Sequence, residues 1–427
     1  MSYKNQISKY LCLLIALTLL LNLTGCKQRV QAENLMENIS AKEVKVQSLN
    51  GSFSPAQMSF SVKLFQHTAQ EAENKNVLIS PLSVMLALSM TANGADENTL
   101  TEMQQVLTGN LETVSLNTLN QSLQAYVNAL PSEDGYQLQL ANSIWFRDNE
   151  SLTVKEDFLQ TNADYYNAQI YKSAFDSQTV KDINLWVKKN TDKMIDKIID
   201  RIDSDTVMYL INALSFDAEW AQTYEKSNIR DGEFTSINGD VRTVDMMHSS
   251  EHYYLEDENA TGFIKNYKDG AYRFVAILPN KGININHYIR SLTYEDLTKM
   301  IENTEETTVI ATLPKFSYEY EITMNDILKE MGMPTAFDDN DANFSKLGTS
   351  DLGNIYIGNV LHKTFISVDE LGTKAGAVTS IAMEGKSACA EMPEPKRVCL
   401  DRPFVYMILD GENNLPIFIG TVVDLEK

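Results

Sequence analysis

Few residues of this chain are spaced to do chemistry. Its five histidines, His67, His248, His252, His287 and His362, fall outside any H-E-x-x-H pattern. The sequence also has no G-x-S-x-G elbow, no G-x-x-x-x-G-K-[ST] loop and no C-x-x-C pair. With 58 acidic residues, paired carboxylates are inevitable, so their presence selects no reaction. A triad assembled in space from scattered Ser, His and Asp stays open, but nothing nominates one. Cys389 and Cys399 stand apart with no nearby His, whereas zinc sites use about four ligands, so no metal is expected. No cofactor and no enzymatic activity are expected either.

The segment that asks for an explanation is "SVDELGTKAGAVTSIAMEGKSACAEM", residues 367–392. From Thr373 onward the odd-numbered residues are Thr373, Ala375, Ala377, Thr379, Ile381 and Met383, none of them charged. The even-numbered set, Lys374, Gly376, Val378, Ser380, Ala382 and Glu384, holds both charges. Successive side chains of a strand face opposite sides, so this alternation suits a strand with one face destined for burial. The small residues at 375–377 would let such a strand enter a sheet unobstructed. A permanent half-buried strand has the same pattern, and the segment alone leaves both open.

Around that segment, 43% apolar and 22% charged residues supply a core for one large domain or two ordinary ones, which excludes disorder along the whole chain. A formal charge of −22 repels nucleic acid; it favours solubility and cationic partners. The amino terminus carries two lysines and a mostly apolar run from Leu11 to Leu21, well short of the roughly 20 residues that span a bilayer. It is laid out as an export signal over residues 1–25 rather than a retained helix. "LTGC", Leu23 to Cys26, resembles the bacterial lipobox. That resemblance implies that Cys26 becomes the acylated first residue of an exported bacterial lipoprotein, at the periplasmic face or cell surface. Residues 26–50 are polar with scattered apolars and suit a tether, leaving 51–427 as the folded domain. Cys12 leaves with the signal, so Cys389 and Cys399 remain as two thiols that could pair outside the cytoplasm.

Within that domain, helical periodicity runs through "SPAQMSFSVKLFQHTAQEAENK" and "SPLSVMLALSMTANGA". In the latter, Ser80 is placed as N-cap, Pro81 in the first turn and Gly94 near the end. Helices follow at "LTEMQQVL", "VSLNTLNQSLQAYVNAL", "VKEDFLQTNADYY" and "DINLWVKKNTDKMIDKIID". "YQLQLANSIWF" reads as a strand, and strands dominate later, in "TVMYLINALSF", "FVAILP", "TTVIATLPKFSYEY", "TFISVDE", "FVYMILD" and "PIFIGTVV". No repeat and no Pro-rich or Gly/Ser-rich linker divides the chain after residue 50, which predicts one mixed α/β domain.

Five stretches, in order, resemble the serpin family of protease inhibitors: "NVLISPLSVMLALSMTANGA" (76–95), "DTVMYLINALSFDAEW" (205–220), "ATLPKFSYEY" (311–320), "NVLHKTFISVDELGTKAGA" (359–377) and "CLDRPFVYMILD" (399–410). The resemblance covers nearly everything from about residue 55 onward. It implies three β-sheets surrounded by eight or nine helices, with an exposed reactive loop over about 370–398. It also implies a suicide substrate: a target serine protease cuts the loop, the loop inserts as a central strand, and the protease is trapped in a covalent 1:1 complex with a monomeric inhibitor. About a dozen new ladder hydrogen bonds at roughly 1 kcal/mol each would supply on the order of 10 kcal/mol.

Residue by residue, the resemblance carries over a hinge (Glu370, Gly372, Thr373, Ala375, Gly376, Ala377), a breach at the top of the sheet (Trp220, Lys315, Glu370) and a polar shutter beneath it (Ser80, Ser83, Asn212, His362). The family's cut falls fourteen residues after the hinge glycine, which places it at Lys386-Ser387, and a lysine there suits a trypsin-like pocket. The stretch from Ser387 to Pro403 is several residues longer than the family's usual spacing. A cut after Met383 or within "SACAEM" therefore stays open, as do an inhibitor of cysteine proteases and a non-inhibitory serpin-fold binding protein.

Overall fold

Twelve residues from Pro81 to Ala92 form a helix buried on every side, which their uncharged sequence permits. Ser80 caps it by accepting from the Ser83 N–H, and Pro81 occupies the first turn, where an amide would have no partner. Both large sheets of the molecule pack against this helix. The computed structural model describes residues 29–44, 49–109, 114–148, 152–203, 206–351, 353–373 and 394–425, and among them are nine α-helices and three sheets.

The seven-stranded sheet has the spatial order β1 (Glu33–Asn34), β5 (Gln169–Ser173), β3 (Tyr136–Arg147), β6 (Met208–Glu219), β15 (Gly372–Thr373), β14 (Asn359–Val368) and β12 (Phe316–Thr323). The nine-stranded sheet runs β16 (Lys396–Cys399), β11 (Glu305–Pro314), β8 (Val241–Glu256), β9 (Ala260–Asn266), β10 (Tyr272–Pro279), β17 (Phe404–Asp410), β18 (Pro416–Val422) and β2 (Val77–Ile79), with β7 (Ile229–Thr235) beside β8. Strands β4 (Thr153–Val154) and β13 (Gly348–Thr349) make the small third sheet. The apolar runs of β17 and β18 are buried throughout, whereas β14 alternates half-buried and buried residues, the signature of a sheet with one face on the core.

The helix Ser177–Asn190 lies across the lower part of the seven-stranded sheet, where its Ile183, Trp186 and Val187 share an apolar cluster with Trp145, Tyr209, Ile211 and Ala213. The helical pattern read through Asp200 stops at Asn190. Asp192 and Lys193 take left-handed backbone angles, and the Asn184 side chain accepts from the N–H groups of Ile198 and Ile199. That loop thereby returns Ile195 and Ile198 to the same cluster.

The stretch expected to be a tether is partly laid on the body. Strand β1 pairs with β5, and the buried Asp182 carboxylate accepts from the N–H groups of Gln31 and Ala32 at 2.9 and 2.8 Å. Farther along, the Lys42 N–H donates to Asp164 and the Gln160 amide to the Ser40 carbonyl. Among the described residues no helix is long and apolar enough to cross a membrane.

Candidate functional site

The seven-stranded sheet is paired unevenly at its centre. Strands β6 and β14 run parallel and are bonded from Tyr209 and Asn359 up to Ala213 and Lys363. Above that point their ladder ends. At the top, β15 lies between them, with Gly372 opposite Glu219 and Thr373 opposite Ala218 on one side and Thr373 opposite Val368 on the other. The two strands thus part like a wedge whose mouth already holds two residues of a further strand.

Those two residues are delivered by a tight turn from β14 into β15. The Asp369 carboxylate accepts from the N–H groups of Leu371 and Gly372 at 2.8 and 3.3 Å, and the Asp369 N–H donates to the Gly372 carbonyl. Gly372 is required here: a Cβ would collide with the Ala218 carbonyl oxygen and the backbone beside it. Trp220, almost fully buried, holds the turn by two bonds, its backbone N–H to the Leu371 carbonyl at 2.9 Å and its indole N–H to the Asp369 carbonyl at 2.8 Å. The Tyr224 N–H donates to the Glu370 carbonyl.

Outside the turn, Lys315 Nζ lies 2.6 Å from Glu370 Oε2, and this hydrogen-bonded ammonium holds the Glu370 carboxyl below its ordinary range. On the inner side, Thr373 is buried and its hydroxyl lies 2.5 Å from that of Tyr267, which burial keeps protonated. Thr373 therefore faces the core, the side assigned to the odd-numbered set.

At the lower end of the wedge a polar row crosses three strands. Asn142 of β3 is opposite Asn212 of β6, which is opposite His362 of β14. The Asn212 amide donates to Asn142 Oδ1 at 3.0 Å, and the Ser83 hydroxyl reaches the same oxygen at 3.3 Å. His362 Nε2 accepts the Ser80 N–H at 3.1 Å, so in the neutral ring Nδ1 carries the proton. Burial alone pushes the His362 pKa down to about 3. His362 Nδ1 and Asn212 Oδ1 are both buried without a hydrogen-bond partner among the described residues, which is unusual in a folded protein.

Ser80, Ser83, Asn212 and His362 are brought together by this row, and Trp220, Lys315, Glu370, Gly372 and Thr373 by the turn above it. Ala375, Gly376, Ala377, Lys386, Ser387, Cys389 and Cys26 lie outside the described residues. Cys399 is exposed on β16. Sequence reasoning missed Asn142, Asp369, Tyr224 and Tyr267. Asn142 alone carried a usable signal, as a polar residue inside the strand pattern of "YQLQLANSIWF". Among the described residues no cluster of three or more His, Cys, Asp or Glu is placed to hold a metal ion.

Comparison with known proteins bears on the same region. The family model described as Serpin (serine protease inhibitor) matches residues 55–425. The native state of a thermophilic serpin, Tengpin, superimposes with a TM-score of 0.87 at 50% identity, covering 93% of this chain and 100% of that one. An uncharacterized serpin-like protein of Thermococcus kodakarensis is 30% identical over 86% of this chain and 84% of its own. Serpin B9 of Homo sapiens is 28% identical over 86% of this chain and 98% of its own.

Proposed function

Because this chain belongs to the serpin family, whose members generally inhibit proteases, we propose that it is a serine-protease inhibitor working as a suicide substrate. The protease serine attacks the Lys386 carbonyl carbon, the amine of Ser387 leaves, and an acyl-enzyme ester remains. The freed segment behind it then enters the wedge between β6 and β14, carrying the protease with it. One observation supports this reading above all: Gly372 and Thr373 already occupy the mouth of the wedge, with Thr373 in register with both neighbours and facing the core.

From that register, alternation would direct Ala375, Ala377 and Thr379 inward and Lys374 outward, the arrangement their side chains suit. Lys386 makes a trypsin-like protease the favoured target, and the inhibitor acts as a monomer in a 1:1 complex. In the same proposal, Cys26 is lipidated and holds the exported protein at a bacterial membrane or cell surface.

Incubating residues 27–427 with trypsin and running a denaturing gel tests the central claim. A band stable to denaturant at the summed mass supports the trap, and the released C-terminal peptide should begin at Ser387. Clean cleavage without a covalent band would overturn it in favour of a non-inhibitory binding protein. A band formed with a cysteine protease in place of trypsin would reassign the target class.

A further inference from the structure

Behind the turn that feeds the wedge lies an ion pair that the mechanism above does not use. Lys265 of β9 is 2% exposed and Glu251 of β8 is 9% exposed, and Lys265 Nζ sits 2.9 Å from Glu251 Oε1. The Ser249 hydroxyl donates to the same carboxylate oxygen at 2.6 Å. The other sides of the ammonium are closed by aromatic faces, with the Tyr224 ring centroid at 4.4 Å and that of Trp220 at 5.4 Å.

Taking both charges out of water costs several kcal/mol per ion, which their attraction only partly offsets, so a pair like this is a weak source of stability. Its placement is more informative. Tyr224 and Trp220 are the residues whose backbone N–H groups hold Glu370 and Leu371 of the turn. The Trp220 ring also stacks on Tyr267 at 4.4 Å and 16°, and the Tyr267 hydroxyl meets Thr373. The contacts run without a break from Glu251 through Lys265, Trp220 and Tyr267 to Thr373, the last described residue before the reactive segment. The Ala221 N–H donates to the Asn266 carbonyl, which ties the Trp220 segment to the same end of β9.

We propose that Lys265 and Glu251 are positioning residues of the trap: their buried pair fixes the Trp220–Tyr267 stack, and through it holds Gly372 and Thr373 docked in the wedge before the loop is cut. This rests on the inhibitory reading above. After cleavage, insertion competes with hydrolysis of the acyl-enzyme. A docked start lets the strand extend from an existing ladder, whereas a loosened one must first find its register. Removing the pair therefore slows insertion, and more of the inhibitor is consumed as substrate.

The double variant Lys265→Met/Glu251→Gln removes both charges and keeps the shapes, a change that buried pairs often tolerate without loss of fold. Two readouts are compared with wild type, once a cooperative thermal transition shows that the variant is folded. The first is amide hydrogen exchange of the Trp220 and Tyr224 N–H groups, expected to quicken by about fivefold or more on loss of a desolvated cation–π contact. The second is the number of inhibitor molecules consumed per protease trapped, measured with trypsin, chymotrypsin and elastase and expected to rise by a similar factor.

Unchanged exchange overturns the proposal, and so does faster exchange with unchanged stoichiometry. If wild type traps none of the three proteases, the inhibitory reading falls, while the exchange measurement still decides whether the pair positions the turn.

Discussion

His362 gives the sharpest test of the polar row beneath the wedge. In the unfolded chain its imidazole titrates near 6.5, whereas in the fold burial lowers its pKa to about 3. Between those values the unfolded state binds the extra proton, so stability is greatest above pH 7 and declines as the pH falls through 6.5 toward 3. At pH 5 nearly every unfolded molecule is protonated at this site and almost no folded one is. The difference amounts to about 2 kcal/mol relative to pH 8, rising to about 4 kcal/mol by pH 3. Carboxylates such as Glu370, whose pKa is lowered in the fold, also weaken the protein in acid, so the comparison must be differential. His362→Gln keeps an acceptor for the Ser80 N–H and does not titrate. Urea denaturation of both proteins at pH 8 and pH 5, read on the first transition, should show wild type losing about 2 kcal/mol more than the variant. Equal losses would mean that His362 is solvated or charged in the native state and that the row is not closed to water.

Two substitutions test the strand itself. Thr373→Arg would place a guanidinium on the core side beside Tyr267, where a charge without a partner costs several kcal/mol. The variant should still be cut by trypsin but form little or no covalent complex on a denaturing gel, and undiminished trapping would show that Thr373 need not enter the core. Thr379→Val removes a hydroxyl and keeps the shape. It should consume more inhibitor per trapped protease and give a cleaved form with a thermal midpoint lower than that of cleaved wild type, and an unchanged midpoint would refute the register that places Thr379.

Local patterns were legible wherever one physical cause acted alone. The helix beginning at Ser80 and Pro81 announced itself through its cap and its uncharged run, and the alternation from Thr373 matches the one residue of that set the structure describes. The shutter roles of Ser80 and His362 rest on family resemblance alone, because a lone histidine in a strand looks the same whether it gates a sheet or fills a core. The helix read through Asp200 was over-extended because helical spacing says nothing of the left-handed angles at Asp192 and Lys193, which depend on the Asn184 cap and the cluster under the helix. Lys265 and Glu251 were invisible for a related reason. In sequence a lysine and a glutamate on two strands are surface residues by default, and only the tertiary fold places Trp220 and Tyr224 around the ammonium.

Under the proposed mechanism, the register at the mouth of the wedge would also give the polar row a purpose. Thr373 lies opposite Ala218 and Val368, and an entering antiparallel strand would lower its partner number by one for each residue it advances. Continued without a bulge, Thr379 would come opposite both Asn212 and His362, residues that now face each other across the β6–β14 ladder. It has the inward parity of Thr373, and its hydroxyl can donate to an amide oxygen while accepting from an imidazole N–H. Asn212 Oδ1 and His362 Nδ1 are two of the seven buried side-chain atoms left without partners among the described residues. A buried polar group without a bond costs about 1–3 kcal/mol, so the uncut state would hold unmet hydrogen bonds at the point the strand must reach to open the lower ladder. Docking at Gly372 and Thr373 would then supply the start of insertion, and the unfilled row a gain part-way down. Of the residues between them, Ala375, Gly376 and Ala377 are small and would oppose entry least, so that under the proposed mechanism each step would lower the cost of the next.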